Sequence, residues 1–316
     1  MRAATIRDGK IAVEEHPDPE PGAGECLVRI RAAGINGADL LQRRGLYPAP
    51  AGSPELIPGL ELAGEVERCG PGAARFAPGE AVMAIVGGGG QAELATVHER
   101  QLMPVPDLPW PQAGGLPEVF GTAYDALFSQ SGLGSGERLL VHGGAGGVGT
   151  AAIQLGASVG AQVTATVRNE ALRDGVAALG AAPISPEGFT EAGPFDVILE
   201  LVGAPNLADN VRALATGGRI VVIGIGAGAK AELNLGALMG KRASISGSTL
   251  RARPLEEKAT LARLLEAHVL PGIEAGELVV PLAAHYPLAE VEAAYERFAA
   301  GGKLGKIVLI TDANQV

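Results

Sequence analysis

Residues Gly144-Ala145-Gly146-Gly147-Val148-Gly149 spell G-x-G-x-x-G directly after the apolar run ERLLVH and at the start of the helical stretch VGTAAIQLGASVG. A glycine turn in this position restricts the backbone more than any other feature of the chain. Gly144 permits the tight turn, Gly146 lets the backbone approach a pyrophosphate, and Gly149 lets the helix pack on the strand. The amides and dipole of the helix start then attract an anion. In a chain with 47 glycines the motif alone is weak. With a strand before it, a helix after it and a second strand at QVTATV, it reads as a dinucleotide-binding turn, the alternative being a purely structural one.

The alternation continues downstream. FDVILELVG and RIVVIGIG read as strands, EALRDGVAALG and NLADNVRALATGG as helices, and RASISGSTL with PLEEKATLARLLEAHVL closes the unit. Strands without a polar face call for a parallel sheet covered on both sides, hence a doubly wound α/β domain. Before about residue 118 the character differs. ATIRDGKIAVEE, ECLVRIRAAG, LELAGEVERCG, AVMAIV and QAELATVHE are separated by Pro and Gly. They predict antiparallel strands of a compact barrel or sandwich, interrupted by one helix near Asn36 to Arg43. DLPWPQAGGLPEV reads as a connector, because its prolines block helix interiors and ladder donors. Gly87 to Gly90 reads as a loop or hairpin, since no helix follows. The tail from ELVV to KIVLIT offers a strand, a helix and a strand, which either extend the α/β sheet or return to the first half.

Composition sets outer limits. At 316 residues, two domains are expected, and 47% hydrophobic against 19% charged residues marks a folded chain. The formal charge of −10 and the absence of a long basic run argue against nucleic acid as a partner. The longest apolar run, Ile220 to Ala229, is half a membrane span, and the opening MRAATIRDGK is charged, so no membrane association and a cytoplasmic location are expected. Cys26 and Cys69 are too few for a disulfide framework.

The end of the second α/β strand bears on cofactor choice. An acid there would bind the ribose hydroxyls of NAD, whereas an arginine accommodates the phosphate of NADP. The chain has Val167-Arg168-Asn169, with Arg173 one turn on, which favours NADP through Arg168 and Asn169. The competing reading makes Arg168 a solvated loop residue.

AAGINGADLLQRRGLYP, IPGLELAGEVERCG, LPEVFGTAYDALF, ERLLVHGGAGGVGTAAIQL and GKLGKIVL, in this order, cover nearly the whole chain. They resemble the zinc-independent quinone oxidoreductase branch of the medium-chain dehydrogenase/reductase superfamily. The resemblance implies a GroES-like β-rich catalytic domain, residues 1–118 plus 255–316, and a Rossmann cofactor-binding domain, residues 119–254, with the acceptor cleft between them. It also implies a homodimer formed through the cofactor domains.

By the same resemblance, Asn36, Tyr47 and Thr122 match polar positions near the nicotinamide, where they orient the ring or bond an acceptor carbonyl, and Tyr47 is a candidate proton donor. Read without it, Asn36 and Thr122 are helix caps and Tyr47 is half-buried packing. Val202-Gly203 and Ile223-Gly224 end successive strands, where a bound cofactor meets the sheet. Thr249 and Leu250 lie either beside the nicotinamide or in a dimer strand. His142 adjoins the glycine turn, as a cofactor contact or a locally satisfied residue. Asp39 and Glu61 match family positions and are read as structural.

Zinc-dependent relatives ligate metal at two positions that hold Asn36 and Leu60 here, so no catalytic zinc is expected. Without a Lewis acid, an already electrophilic acceptor is the natural substrate. The expected function is NADPH-dependent reduction of a quinone or similar activated carbonyl. The alternatives are enoyl reduction and, in a different class, an NADPH-binding sensor without turnover.

Overall fold

Six short strands form one sheet in a computed structural model that describes residues 1–311. Its spatial order is Ala182–Ile184, Gln162–Thr166, Arg138–Val141, Phe195–Glu200, Leu214–Val222 and Ser244–Gly247. Every neighbouring pair is parallel. In chain order this is 3-2-1-4-5-6, the doubly wound dinucleotide-binding arrangement. The inner strands are apolar on both faces: Leu139, Leu140, Val141, Val197, Ile198 and Leu199 are all buried. Helices such as Gly147–Ser158 and Leu207–Ala213 follow the strands, as parallel connections require.

Several details differ from the sequence reading: helix Leu255–His268, read as closing this unit, belongs to the other one, and the end of NLADNVRALATGG is already strand Leu214–Val222. Ala182–Ile184 is a strand that no periodicity announces, being three residues long with Pro183 in the middle; proline is tolerated because this strand is at the sheet's edge. EALRDGVAALG is not one helix but a 3₁₀ turn, Glu170–Leu172, and a short helix, Arg173–Ala177.

The second sheet is largely antiparallel and has seven strands. Its spine is the long strand Glu25–Ile35. On one side it pairs with Glu61–Cys69; on the other it pairs with Leu94–His98 along its first half and with Lys306–Ile310 along its second. Lys306–Ile310 in turn pairs in parallel with Leu282–Pro287. The tail therefore returns to the N-terminal half, the option that periodicity left open. Val28, Ile30, Leu62, Val66, Val82 and Val97 fill one core of this unit, and Ile35, Ile307 and Leu309 meet Val291 and Tyr295 in another.

The connector reading is corrected. Trp110–Gly114 and Pro117–Tyr124 are helices, and their prolines sit at the start, where the missing N–H is not needed. The second helix runs on into a π-helical turn, Asp125–Gln130. Thr122 is buried inside that helix, which rules out the capping role.

The chain divides into two compact units. One comprises Met1–Gly121, Leu250–Gly301 and the segment from Lys306; the other comprises Thr122–Thr249 with Gly302–Gly305. Among the described residues, no helix is long and apolar enough to cross a membrane.

Candidate active site

In the α/β unit the glycine turn behaves as its spacing demands. A Cβ on Gly149 would stand 2.5 Å from the Gly143 carbonyl oxygen, and one on Gly144 would stand 2.7 Å from Ala165 Cβ. A Cβ on Gly146 would meet only the Gly143 oxygen at 3.4 Å. Two glycines thus serve packing, and the third keeps an approach to the backbone open. Ala145, Gly147 and Val148 complete the turn, and the first amides of helix Gly147–Ser158 have no intrahelical acceptor by geometry. This cradle fits the pyrophosphate of a dinucleotide. It is tied to the tail segment by Gly305 N–H, which donates to the Ala145 oxygen at 2.9 Å.

A buried polar chain supports the turn. Glu200, ending its strand, accepts hydrogen bonds from Val202 N–H at 2.7 Å and Gly203 N–H at 2.8 Å through one oxygen. Its other oxygen accepts from Asn210 Nδ2 at 2.7 Å. Asn210 Oδ1 is then an acceptor, so the network assigns the proton of His142 to Nε2, 2.7 Å away. His142 Nδ1 faces Thr166 Oγ1 at 3.3 Å, and that hydroxyl accepts from Gly143 N–H at 3.1 Å. Burial depresses the His142 pKa, opposed by the Glu200 charge and the hydrogen bond to Asn210. His142 is accordingly a locally satisfied residue that links two turns.

The remaining residues singled out in this unit are spread along its strand ends. Val202 and Gly203 form the turn held by Glu200, Gly203 at φ +125°. Gly224 approaches the Leu201 carbonyl so closely that a Cβ there would stand 2.1 Å from it; Ile223 N–H and Gly224 N–H donate to the backbone carbonyl oxygen of Glu200 at 2.9 and 3.0 Å. Arg168 and Asn169 are exposed, and Asn169 caps the next turn by accepting from Ala171 N–H. Thr249 is exposed. Leu250 belongs to the other unit and is buried beside Ile85 and Leu261.

In the β-rich unit, Asn36 begins helix Gly37–Arg43, and its backbone N–H donates to Asp39 Oδ2 at 2.8 Å. Both ends of its side chain are engaged. Nδ2 donates to Glu61 Oε1 at 2.9 Å, and Oδ1 accepts from Lys306 Nζ at 2.7 Å. Lys306 Nζ also reaches Glu61 Oε1 at 2.7 Å, an ion pair whose side chains are 3% and 0% exposed. A Cβ at position 34 would stand 2.0 Å from Glu61 Oε1 and 2.9 Å from Lys306 Nζ, so a larger residue there would have to displace the ion pair. Asp39 is also buried, bonded to Gly59 N–H and Gln91, and burial raises its pKa to about 6. Glu118 donates its N–H to Glu61 Oε2 at 2.8 Å; burial and the Glu61 charge push its carboxyl up to about 8.

Tyr47 is half-buried on the loop after this helix, its ring under the Arg251 guanidinium. Burial raises its phenol pKa against the opposing Arg251 charge. Lys306, Glu118 and Arg251 escaped the sequence reading. Lys306 was readable only as part of GKLGKIVL, and lone charged residues carry no periodic signal.

Residues 22–107 match the model of the alcohol dehydrogenase GroES-like domain, and residues 180–309 match that of zinc-binding dehydrogenases. A quinone oxidoreductase of Rattus norvegicus is 32% identical over 305 residues, covering 92% of this chain and 91% of its own. The chain belongs to the quinone oxidoreductase branch of the medium-chain dehydrogenase/reductase superfamily. Like other members of that superfamily, it is an oxidoreductase that uses a nicotinamide cofactor. A crystal structure of an alcohol dehydrogenase superfamily protein from Novosphingobium aromaticivorans superimposes with a TM-score of 0.87 at 30% identity, covering 99% of this chain and 100% of that one. Polyketide synthase GfsB of Streptomyces halstedii is 36% identical over 208 residues, 64% of this chain and 4% of the synthase.

The metal named in the second family model does not fit the donors present in this quinone oxidoreductase relative. Leu60 is a buried hydrocarbon and Asn36 is bonded at both ends. Among the described residues, no group of three or more His, Cys, Asp or Glu side chains converges to hold a metal ion.

Proposed function

We propose that the protein is a zinc-independent, NADPH-dependent quinone oxidoreductase. The observation that carries this reading is the near full-length similarity to quinone oxidoreductases. When bound, the cofactor supplies hydride, and the protein supplies binding, orientation and proton management. Gly144 to Gly149 would hold the pyrophosphate. Arg168 would meet the phosphate that distinguishes NADPH, and a second cation, Lys303, is on the Gly302–Gly305 segment, which packs against Asn169 and Gly175. Asn36 and Leu60 stand at the positions that hold metal ligands in zinc-dependent relatives, and Asn36 is instead tied to Lys306 and Glu61, which favours an acceptor that needs no Lewis acid. Asn36, Tyr47 and Thr122 are the proposed contacts to nicotinamide or acceptor, with Tyr47 hydrogen-bonding an acceptor oxygen.

Reduction of α,β-unsaturated carbonyls is a second reading, favoured by the match to a segment of a polyketide synthase. A homodimer is also proposed: Ser244–Gly247 is at the edge of the parallel sheet, and the preceding helix exposes Leu235 and Met239.

The deciding experiment follows NADPH oxidation in EDTA with an ortho-quinone and an enoyl thioester in parallel, with NADH as control. Quinone-dependent turnover that prefers NADPH supports the proposal. Turnover with the thioester alone replaces it by the second reading, and silence with both rejects it.

A further inference from the structure

Arg251 is 1% exposed, among the largest fully buried side chains in the protein. Its three hydrogen bonds go to neutral oxygens. Nε donates to the Gly87 carbonyl at 2.7 Å, Nη1 to the Tyr47 carbonyl at 2.9 Å, and Nη2 to Gln42 Oε1 at 2.6 Å. Gln42 passes the tie onward, since its Nε2 donates to the Glu55 carbonyl at 3.0 Å. One guanidinium therefore holds the irregular 44–60 segment near its start, directly, and near its end, through Gln42. Its carbon also stands 5.2 Å from the Tyr47 ring centroid, over the face of the ring.

Burying a cation costs free energy that packing alone does not require, and a hydrocarbon of the same volume would fill this space more cheaply. What the hydrocarbon lacks is the planar fork that meets three acceptors in fixed directions. The charges acting on Arg251 are those of Asp39 and Glu118, with the phenols of Tyr47 and Tyr295. Of the three groups tied, one is the carbonyl of Tyr47 itself, one is the side chain of Gln42 at the end of the preceding helix, and the third is the carbonyl of Gly87 in the glycine run Gly87 to Gly90, which had no assigned use.

We propose that Arg251 is the positioning residue for Tyr47: it clamps the 44–60 loop and fixes the plane of the phenol so that the hydroxyl meets an acceptor oxygen. The proposal rests on the reading of Tyr47 as an acceptor contact. A lysine cannot replace Arg251, because an ammonium lacks the fork.

The test compares Tyr47→Phe, Arg251→Met, Arg251→Lys and the Tyr47→Phe/Arg251→Met double variant. The readouts are kcat/KM for the acceptor, NADPH affinity by fluorescence, and amide hydrogen exchange across residues 44–57. Both Arg251 variants are expected to speed exchange there and to lower kcat/KM on the order of ten- to hundred-fold, with NADPH affinity changed less than about twofold. The double variant is expected to be no worse than the more damaged single one. Additive losses, or exchange unchanged in Arg251→Lys, overturn the proposal; Arg251→Lys also serves if Arg251→Met does not fold. A wild-type protein inactive with both acceptors would sink the functional reading instead, and the exchange experiment would still decide whether the clamp exists.

Discussion

Gly146 and Gly149 are three positions apart in one motif and are glycine for different reasons. Gly149→Ala drives a Cβ into the Gly143 carbonyl and should cost roughly 1–3 kcal/mol of stability, read by denaturant unfolding. Gly146→Ala meets nothing closer than 3.4 Å, so it should leave the thermal midpoint unchanged while weakening NADPH binding at least about tenfold, because the motif reserves this position for close approach of the pyrophosphate. Glu118 and Asp39 lend themselves to a pH experiment. Their folded pKa values, about 8 and about 6, lie above the ordinary carboxyl value near 4. A group raised in this way stabilises the fold fully below its unfolded pKa, and that contribution is lost as pH rises through the folded value. Stability should therefore fall between about pH 4 and 8, and Glu118→Gln should flatten the upper part of that fall. A midpoint that rises with pH in the wild type would contradict the assignment. Arg168→Ala should weaken NADPH on the order of tenfold more than NADH, since one charge-assisted phosphate contact is removed; equal effects on both would place Arg168 in solvent.

Strand Lys306–Ile310 is where chain connectivity and chemistry meet. It closes the β-rich sheet against the second half of Glu25–Ile35 and carries Lys306 into the Glu61–Asn36 cluster. Lys306→Met would leave the buried Glu61 carboxyl without its ion-pair partner, at an expected cost of roughly 3–5 kcal/mol in urea unfolding. It should also release the Asn36 carboxamide, so acceptor KM should change even at temperatures where the variant is fully folded. The turn after Phe195–Glu200 follows the same logic. The Glu200 carboxylate receives two backbone amides and Asn210, so the Val202-Gly203 turn depends on a residue upstream of it. Helix and strand propensities announce the existence of both elements but not these couplings.

For the molecule as a whole, the proposed dimer makes the most direct prediction. Met239 is 76% exposed and Leu235 64% exposed on a helix beside the sheet's edge strand, an arrangement that invites a second copy. Light scattering should give twice the chain mass for the wild type and a monomer for Met239→Glu if that face forms the contact. A monomeric wild type at micromolar concentration would refute the proposal.

Much of this was legible in the residues alone. Doubly apolar strands alternating with helices can be satisfied only by a covered parallel sheet, and GAGGVG between a strand and a helix needs close backbone contacts that any folded form must honour. Arg168 could be singled out by its place after QVTATV, whereas Asn36, in GINGAD, became a candidate only through the family resemblance and by the residues alone read as a helix cap. What sequence could not decide involves partners distant along the chain. Whether the tail strand joined one sheet or the other depended on which open edge could accept it. That Asn36 is held by Lys306, 270 residues away, and Tyr47 by Arg251, 204 residues away, follows from packing that brings lone charges together in a water-poor interior. Local patterning specifies elements through nearest-neighbour physics; buried charges are placed only when the whole fold has decided what surrounds them.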